Sequence, residues 1–245
     1  MKLNDVSHVA ASTFWPDTLQ VWTSGQVGLP KVPRWSKYHE DGHSMVRRQD
    51  SLQHSYSITV LGKVFCYKLR PHVCLDEGLL QNALLIHDHG EGEIQYDTHY
   101  IDKTEQGDLI EYKAFTKCYS VFPTDLFCEF QRAFLLQFAL KCPASFPTGA
   151  CIVMDQLAAT KKTECLAFDA IERWDYVLYA LEQFLERGNE KILLQVMRHQ
   201  KPHLDRLVGE LPGFGDEIWT VSIRQWFDGF LVQNQGAHIE QKGKC

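Results

Sequence analysis

The sequence predicts an all-α protein, a helical bundle. Apolar residues recur at helical spacing through most of its length, strand-like alternation is scarce, and caps and breakers such as Asp50-Ser51, Pro71 and Gly188-Asn189 stand where the periodic runs begin and end. With 245 residues, 44% of them hydrophobic, the chain has material for a substantial core. A net charge of −6 and a pI near 6.0 argue against a nucleic-acid polymer or an anionic membrane as partner, since both reward a concentrated basic patch. No run approaches the roughly 18 apolar residues of a membrane span, and Met1 to Trp15 contains no apolar stretch of signal-peptide length, so a cytoplasmic location is expected. The eight cysteines form no CxxC pair and fall mostly in apolar helical surroundings, as buried free thiols in a reducing compartment would.

The first elements are irregular. Pro16 and Pro30, with Pro33 directly after, and two glycines make residues 1–32 a lead-in rather than a helix. A polar stretch from His39 ends in Arg47-Arg48-Gln49-Asp50-Ser51, where Asp50 or Ser51 is a fitting N-cap for a helix from about Leu52. Its buried face is expected to carry Ile58, Leu61, Val64 and Phe65, and His54, four residues before Ile58, lies on the same inward side. A second helix runs from about Asp76 to His87, and a polar loop from Gly92 to Gly107 follows. Helices are then expected over Glu111–Val121, Thr124–Lys141, Ala150–Thr160 and Glu164–Arg187, the last closed by Gly188. Asp175 sits at the border of that helix's apolar stripe, where a carboxylate needs a partner. Residues 33–200 are read as one domain and 201–245 as an extension that packs on it or on a partner subunit. In that extension Trp219, Ile223 and Trp226 share helical spacing that favours a core position.

Chemistry concentrates at Leu84 to Glu91, Leu-Leu-Ile-His-Asp-His-Gly-Glu. An apolar run delivers His87 and Asp88 together, and the helix-breaking Gly90 places them where a packed helix gives way to a turn. Imidazole and carboxylate are both ligands of divalent cations, and adjacent positions converge on one ion where a helix ends.

His54, His87-Asp88 and Asp175 in this order resemble the H…HD…D signature of the HD-domain metal-dependent phosphohydrolases. Val46 to Ser55, His87-Asp88-x-x-Glu91, Glu111-Tyr112-Lys113-Ala114, and Asp175 with Tyr179, Leu181-Glu182 and Gly188-Asn189 are similar to the bacterial 5'-deoxynucleotidases of that superfamily, over roughly Pro33 to Asn189. Gln53 stands where those enzymes have a glutamate, and one residue is inserted before Asp97.

The resemblance implies an HD-domain helical bundle with a metal site between core helices. It implies one divalent ion (Co, Mn, Ni, Fe, Zn or Mg) on His54, His87, Asp88 and Asp175, with no thiolate, and catalytic roles for Glu91 and Asp97. Arg34 and Arg47 would contact phosphate, and Trp35 would wall the sugar against a ribose 2'-hydroxyl. The expected substrate is a small-molecule nucleotide, a (deoxy)ribonucleoside 5'-monophosphate. A triphosphohydrolase, a cyclic-nucleotide phosphodiesterase or a degenerate nucleotide-binding module are the alternatives, and a homodimer is a possible assembly.

Overall fold

The structure, a computed structural model, describes residues 28–35, 49–97 and 102–234. Within them the protein is all-helical, and the extended backbone is limited to an isolated bridge between Pro33 and Asp50. A 3-10 turn, Leu29–Lys31, is followed by α1 (Ser51–Leu69), α2 (Glu77–Ile86), α3 (His89–Ile94), α4 (Glu105–Tyr119) and α5 (Thr124–Leu135). A 3-10 turn at Leu136–Phe138 leads to α6 (Thr148–Thr160), α7 (Lys162–Arg187), α8 (Glu190–Glu210), α9 (Phe214–Glu217) and α10 (Val221–Gln233).

The N-terminus of α1 is fixed by a capping box. Gln53 N–H donates to Asp50 Oδ1 at 2.8 Å, and the Gln53 side chain accepts from the Asp50 N–H at 3.4 Å, so glutamine at this position completes the helix start. The buried face of α1 carries His54, Ile58, Phe65, Cys66 and Leu69; Val64, expected on it, is 51% exposed because six residues carry it about a third of a turn around the cylinder from Ile58. Asp76 caps α2 by accepting from Leu79 N–H, and α2 ends at Ile86 with His87 as its C-cap.

Long α7 is the central packing element. It lies against α8 along most of its length and also touches α1, α2 and α6. Its apolar residues Ala167, Ala170, Ile171, Val177 and Ala180 are buried, and Gly188, at φ 67, closes it in the left-handed conformation that glycine adopts without cost.

Several boundaries differ from the sequence reading. Helix α4 starts six residues before Glu111 because Thr104 caps it by accepting from Gly107 N–H, with Glu105 and Asp108 favourably placed in the first turn. Helix α5 ends at Leu135, short of Lys141. A division at position 200 falls inside α8, which runs on through Pro202 because Val196, Met197, Leu204 and Leu207 stay buried along one side and offset the cost of about 3 kcal/mol that an internal proline brings. Trp219 is fully buried, edge-on to Trp174, and donates from Nε1 to Asp205 at 2.7 Å, whereas Trp226 is 48% exposed; the inward side of α10 is Phe227 and Phe230. Of the described cysteines, Cys66, Cys118 and Cys165 are buried, Cys142 and Cys151 half-buried, and Cys74 and Cys128 exposed, all as free thiols. No helix among the described residues is long and apolar enough to cross a membrane.

Gly90 does not break a helix. It lies within α3, where a Cβ would stand 2.4 Å from the Glu111 carbonyl oxygen. On the same short helix Gly92 approaches Gly28, whose own Cβ would lie 2.3 Å from the Gly92 oxygen. Backbone contact on both neighbours therefore sets the position of α3. Gly90→Ala should lower unfolding free energy by about 1–3 kcal/mol in a denaturant titration. Gly149→Ala in α6, where nothing lies within 4 Å, should be neutral or stabilising by up to about 1 kcal/mol.

Candidate metal centre

Four acceptor-bearing side chains meet where α1, the α2–α3 junction and α7 come together. His54 is fully buried on α1. His87 and Asp88 occupy the break between α2 and α3, where the chain turns out of helical geometry at Asp88 with φ −91 and ψ 3. One ligand-type atom each from His54, His87 and Asp88 lies within 4.8 Å of the others. The fourth group is Glu172 of α7, whose Oε1 is 3.1 Å from His54 Nε2 and 3.0 Å from His87 Nε2.

Asp175 is not at this convergence. Its Oδ2 is 2.9 Å from the other ring nitrogen, His54 Nδ1, and its Oδ1 accepts from Ser57 Oγ at 2.9 Å. Glu172 and Asp175 are three apart and share a face of α7, so the assignment of the last ligand slips by one turn; the longer glutamate arm reaches the centre, and the aspartate backs the histidine. A carboxylate at Nδ1 holds the proton there and leaves the Nε2 lone pair for a cation. His87 is set the same way by the Leu84 carbonyl, 3.0 Å from its Nδ1.

The electrostatics follow from crowding carboxylates and imidazoles in a dry site. Burial disfavours charge on His87, but Asp88 and Glu172 outweigh it and push the imidazole up to about 10. Burial also opposes ionisation of Asp88, yet His87 and Arg34 hold it well below the usual carboxylate range. Glu172 is likewise held low by His54 and His87 against burial. His87 Nε2 makes no aligned hydrogen bond although Asp88 Oδ1 stands 2.9 Å away. His54, His87 and Asp88 offer ligand atoms within 4.8 Å of one another, Glu172 Oε1 stands about 3 Å from both imidazole Nε2 atoms, and this donor set without thiolate fits a divalent ion.

Arg34 is buried and committed to this cluster. Its Nη1 donates to Asp88 Oδ2 at 2.9 Å and its Nη2 to Tyr176 Oη at 3.0 Å, so it positions a ligand rather than waiting for phosphate. Trp35 is also a correction. It is 5% exposed, stacks on Tyr179 with centroids 4.5 Å apart and donates from Nε1 to Gln49 Oε1 at 2.8 Å, which makes it packing and not a wall for a sugar. Its φ of 63 is unusual for a bulky residue, and this burial is what holds it. Arg47 lies outside the described residues.

Glu91 is fully buried on α3. Its Oε2 accepts from Ser51 Oγ at 2.9 Å, while its Oε1 has no hydrogen-bond partner among the described residues. Burial, then the carboxylates of Asp88, Asp97 and Glu111, raise its carboxyl well above the ordinary range. Asp97 is half-buried and adds to the field at Glu91 and Arg34. The centre opens through His87, Glu172 and Tyr176 into a cavity of about 330 Å³. A larger hollow of about 890 Å³ beside α1, lined by Leu52, Tyr56, Val60 and Leu85 among others, contains none of the four ligand-type residues.

Wild-type protein should take up one divalent ion, and Glu172→Ala or Asp88→Ala should abolish uptake. Asp175→Asn should keep the stoichiometry and weaken affinity about 10- to 100-fold. Metal analysis with a chelator competition decides it; full metal content in Glu172→Ala would return the ligand role to Asp175. A second expectation concerns pH. A carboxyl raised in the folded state binds more protons there than in the unfolded chain, so its contribution is full below the unfolded value and is lost as pH rises toward the folded one. In metal-free protein, Glu91→Gln should therefore gain stability over wild type progressively between pH 5 and pH 8, about a unit above the unfolded value upward. An unchanged difference across that range would mean that Glu91 is already ionised. No protein-family model, curated protein or solved structure matches this chain, so its site is read from its own geometry.

Proposed function

We propose that this protein is a mononuclear metal-dependent phosphohydrolase of the HD-domain type, releasing phosphate from nucleoside 5'-phosphates. The observation that carries the reading is the grouping of His54, His87 and Asp88, with Glu172 against both imidazoles, close to a buried Glu91 whose carboxyl is raised by burial and its carboxylate neighbours. The pattern is H…HD…E rather than H…HD…D, and the longer last ligand leaves the donor chemistry the same. A divalent ion, drawn from Mn, Co, Ni, Fe, Zn or Mg, would be held by these four residues and would supply Lewis acidity toward a phosphoryl oxygen and an acidified water.

The chain's own groups do the rest. Asp175 and the Leu84 carbonyl orient the two imidazoles. Arg34 fixes Asp88 from behind and lends positive charge to a crowded anionic site. Glu91, whose raised carboxyl favours the protonated form, would give its proton to the leaving oxygen as the ester P–O bond breaks and the oxygen of water bonds to phosphorus; solvent would then restore its proton. The monophosphate preference rests on Arg34 and Arg47 and the deoxy preference on Trp35; Arg34 is occupied by Asp88, Trp35 is packed away, and Arg47 lies outside the described residues. The reading therefore stays with nucleotides as a class.

A phosphate-release screen of ribo- and deoxyribonucleotides across these metals should give turnover with at least one combination. Glu91→Gln should cut that turnover at least about 100-fold with metal content unchanged. Silence of the wild-type protein with every nucleotide and metal would defeat the reading.

A further inference from the structure

Two of the described cysteines meet. Cys142 stands just past the 3-10 turn that follows α5, and Cys151 lies near the start of α6, with the segment from Pro143 to Pro147 turning between them. The Cys142 thiol donates to Asp155 Oδ1 at 3.4 Å. Asp155 follows Cys151 by four residues, so the two share one side of α6, and the Cys142 sulfur that reaches the carboxylate also reaches the thiol. Cys142 and Cys151 are hydrogen-bonded neighbours. Cys151 donates in turn to the Phe146 carbonyl at 3.5 Å, which holds it at the near end of the helix. Cys66, Cys118 and Cys165 are buried, whereas Cys142 and Cys151 are half-buried and open to a small reagent.

The backbone at Cys142 is unusual. Its φ is 41, a left-handed value that residues other than glycine seldom take, and Pro143 follows directly. A hydrogen bond from the Cys142 N–H to the Phe138 carbonyl, 2.8 Å, fixes this turn. The same segment touches the metal centre at its other end. Gln137 Nε2 donates to the His87 carbonyl at 3.2 Å, and Gln137 and Lys141 both line the cavity of about 330 Å³. Residues 137–142 therefore run from the backbone of a candidate ligand to the thiol pair.

We propose that Cys142 and Cys151 are a redox modification site, converted by a low-molecular-weight disulfide into an intrachain disulfide that ties the Gln137–Lys141 wall of the cavity to α6. The thiolate of one cysteine attacks a sulfur of the oxidant, whose S–S bond breaks, leaving a mixed disulfide and one small thiol. The second cysteine attacks the protein-bound sulfur of that mixed disulfide and releases the other small thiol. Two protein thiols are oxidised, one small disulfide is reduced to two thiols, and the two cysteine protons pass to the thiolates released. Asp155 sets the pace. Its hydrogen bond and its charge push the Cys142 thiol up, so little thiolate is present near neutral pH and the exchange is slow.

The test needs neither turnover nor the phosphohydrolase reading. Trypsin releases residues 142–161 as one peptide, because Lys141 and Lys161 bound it and no lysine or arginine lies between. Full-length protein is incubated with glutathione disulfide, remaining thiols are alkylated, and the peptide is weighed. It should be unalkylated and lighter by two hydrogens than the dithiol, and reduction should return it to the form that alkylates twice. Cys142→Ser and Cys151→Ser should each remove this product, and Cys128→Ser, at an exposed thiol elsewhere, should keep it. Asp155→Asn should speed its formation about threefold or more. Closing this short loop should raise the melting midpoint of the oxidised wild type by about 3–10 °C and leave that of oxidant-treated Cys151→Ser unchanged. Release of the bound divalent ion to a chelator should slow at least about threefold on oxidation. A peptide that stops at the mixed disulfide, or stays fully alkylated while Cys74 and Cys128 react, overturns the pair. An unchanged melting midpoint overturns the tether, and an unchanged rate in Asp155→Asn overturns the part given to that carboxylate. Ion release at an unchanged rate, or no ion to release, overturns the hold on the centre and leaves the disulfide standing.

Discussion

The structure is organised by the need to keep several ionisable groups together out of water. Two imidazoles and the carboxylates of Asp88, Glu172, Asp175 and Glu91 are all buried or nearly so, and removing charged groups from water costs several kcal/mol each unless partners replace the solvent. The fold meets that cost with hydrogen bonds from every side. Arg34, itself held by Tyr176, serves Asp88, Ser57 and His54 serve Asp175, and Ser51 serves Glu91. Arg34 is brought in by the segment that the Pro33–Asp50 bridge ties to the start of α1, and the other partners sit on a helix end or a buried helical face. The capping box at Asp50 fixes Ser51 and His54, the C-terminus of α2 fixes His87, and α7 carries Glu172, Asp175 and Tyr176 on adjoining turns.

Much of this was legible from local pattern. Helices α1, α2 and α7 begin and end within two residues of where caps and periodicity place them, because Asp50, Asp76 and Gly188 act on their own neighbours. His54 faces inward as its spacing from Ile58 requires, and His87-Asp88 emerges at a helix end. Where local signals were weak the boundaries moved: Thr104 is an ordinary cap inside a stretch rich in polar residues, and nothing nearby announces it.

What sequence could not rank were choices settled by long-range contact. Glu172 and Asp175 occupy the same stripe of α7, and only the position of α1 across from them decides which reaches the centre. Arg34 and Trp35 look like surface residues in a proline-rich segment, yet their partners are Asp88, Tyr176 and Tyr179, far along the chain. Lys141, Arg173, His199 and His203 are unremarked singly; they form one wall because α8 folds back along α7 and brings its histidines beside Arg173.

The separation of those partners has a consequence during synthesis. His54 meets Glu172 across 118 residues, and Arg34 meets Tyr176 across 142. At roughly 5–20 residues per second, a nascent chain exposes His54 for about 6–24 s before Glu172 is even made. Once made, α1 and the α2–α3 junction present three of the four candidate ligands, His54, His87 and Asp88, with no counterpart, next to apolar faces that α7 has yet to cover. The emergence of α7 is thus the event that both closes the core and completes the centre, so a ribosome that stalls before it leaves a chain with neither.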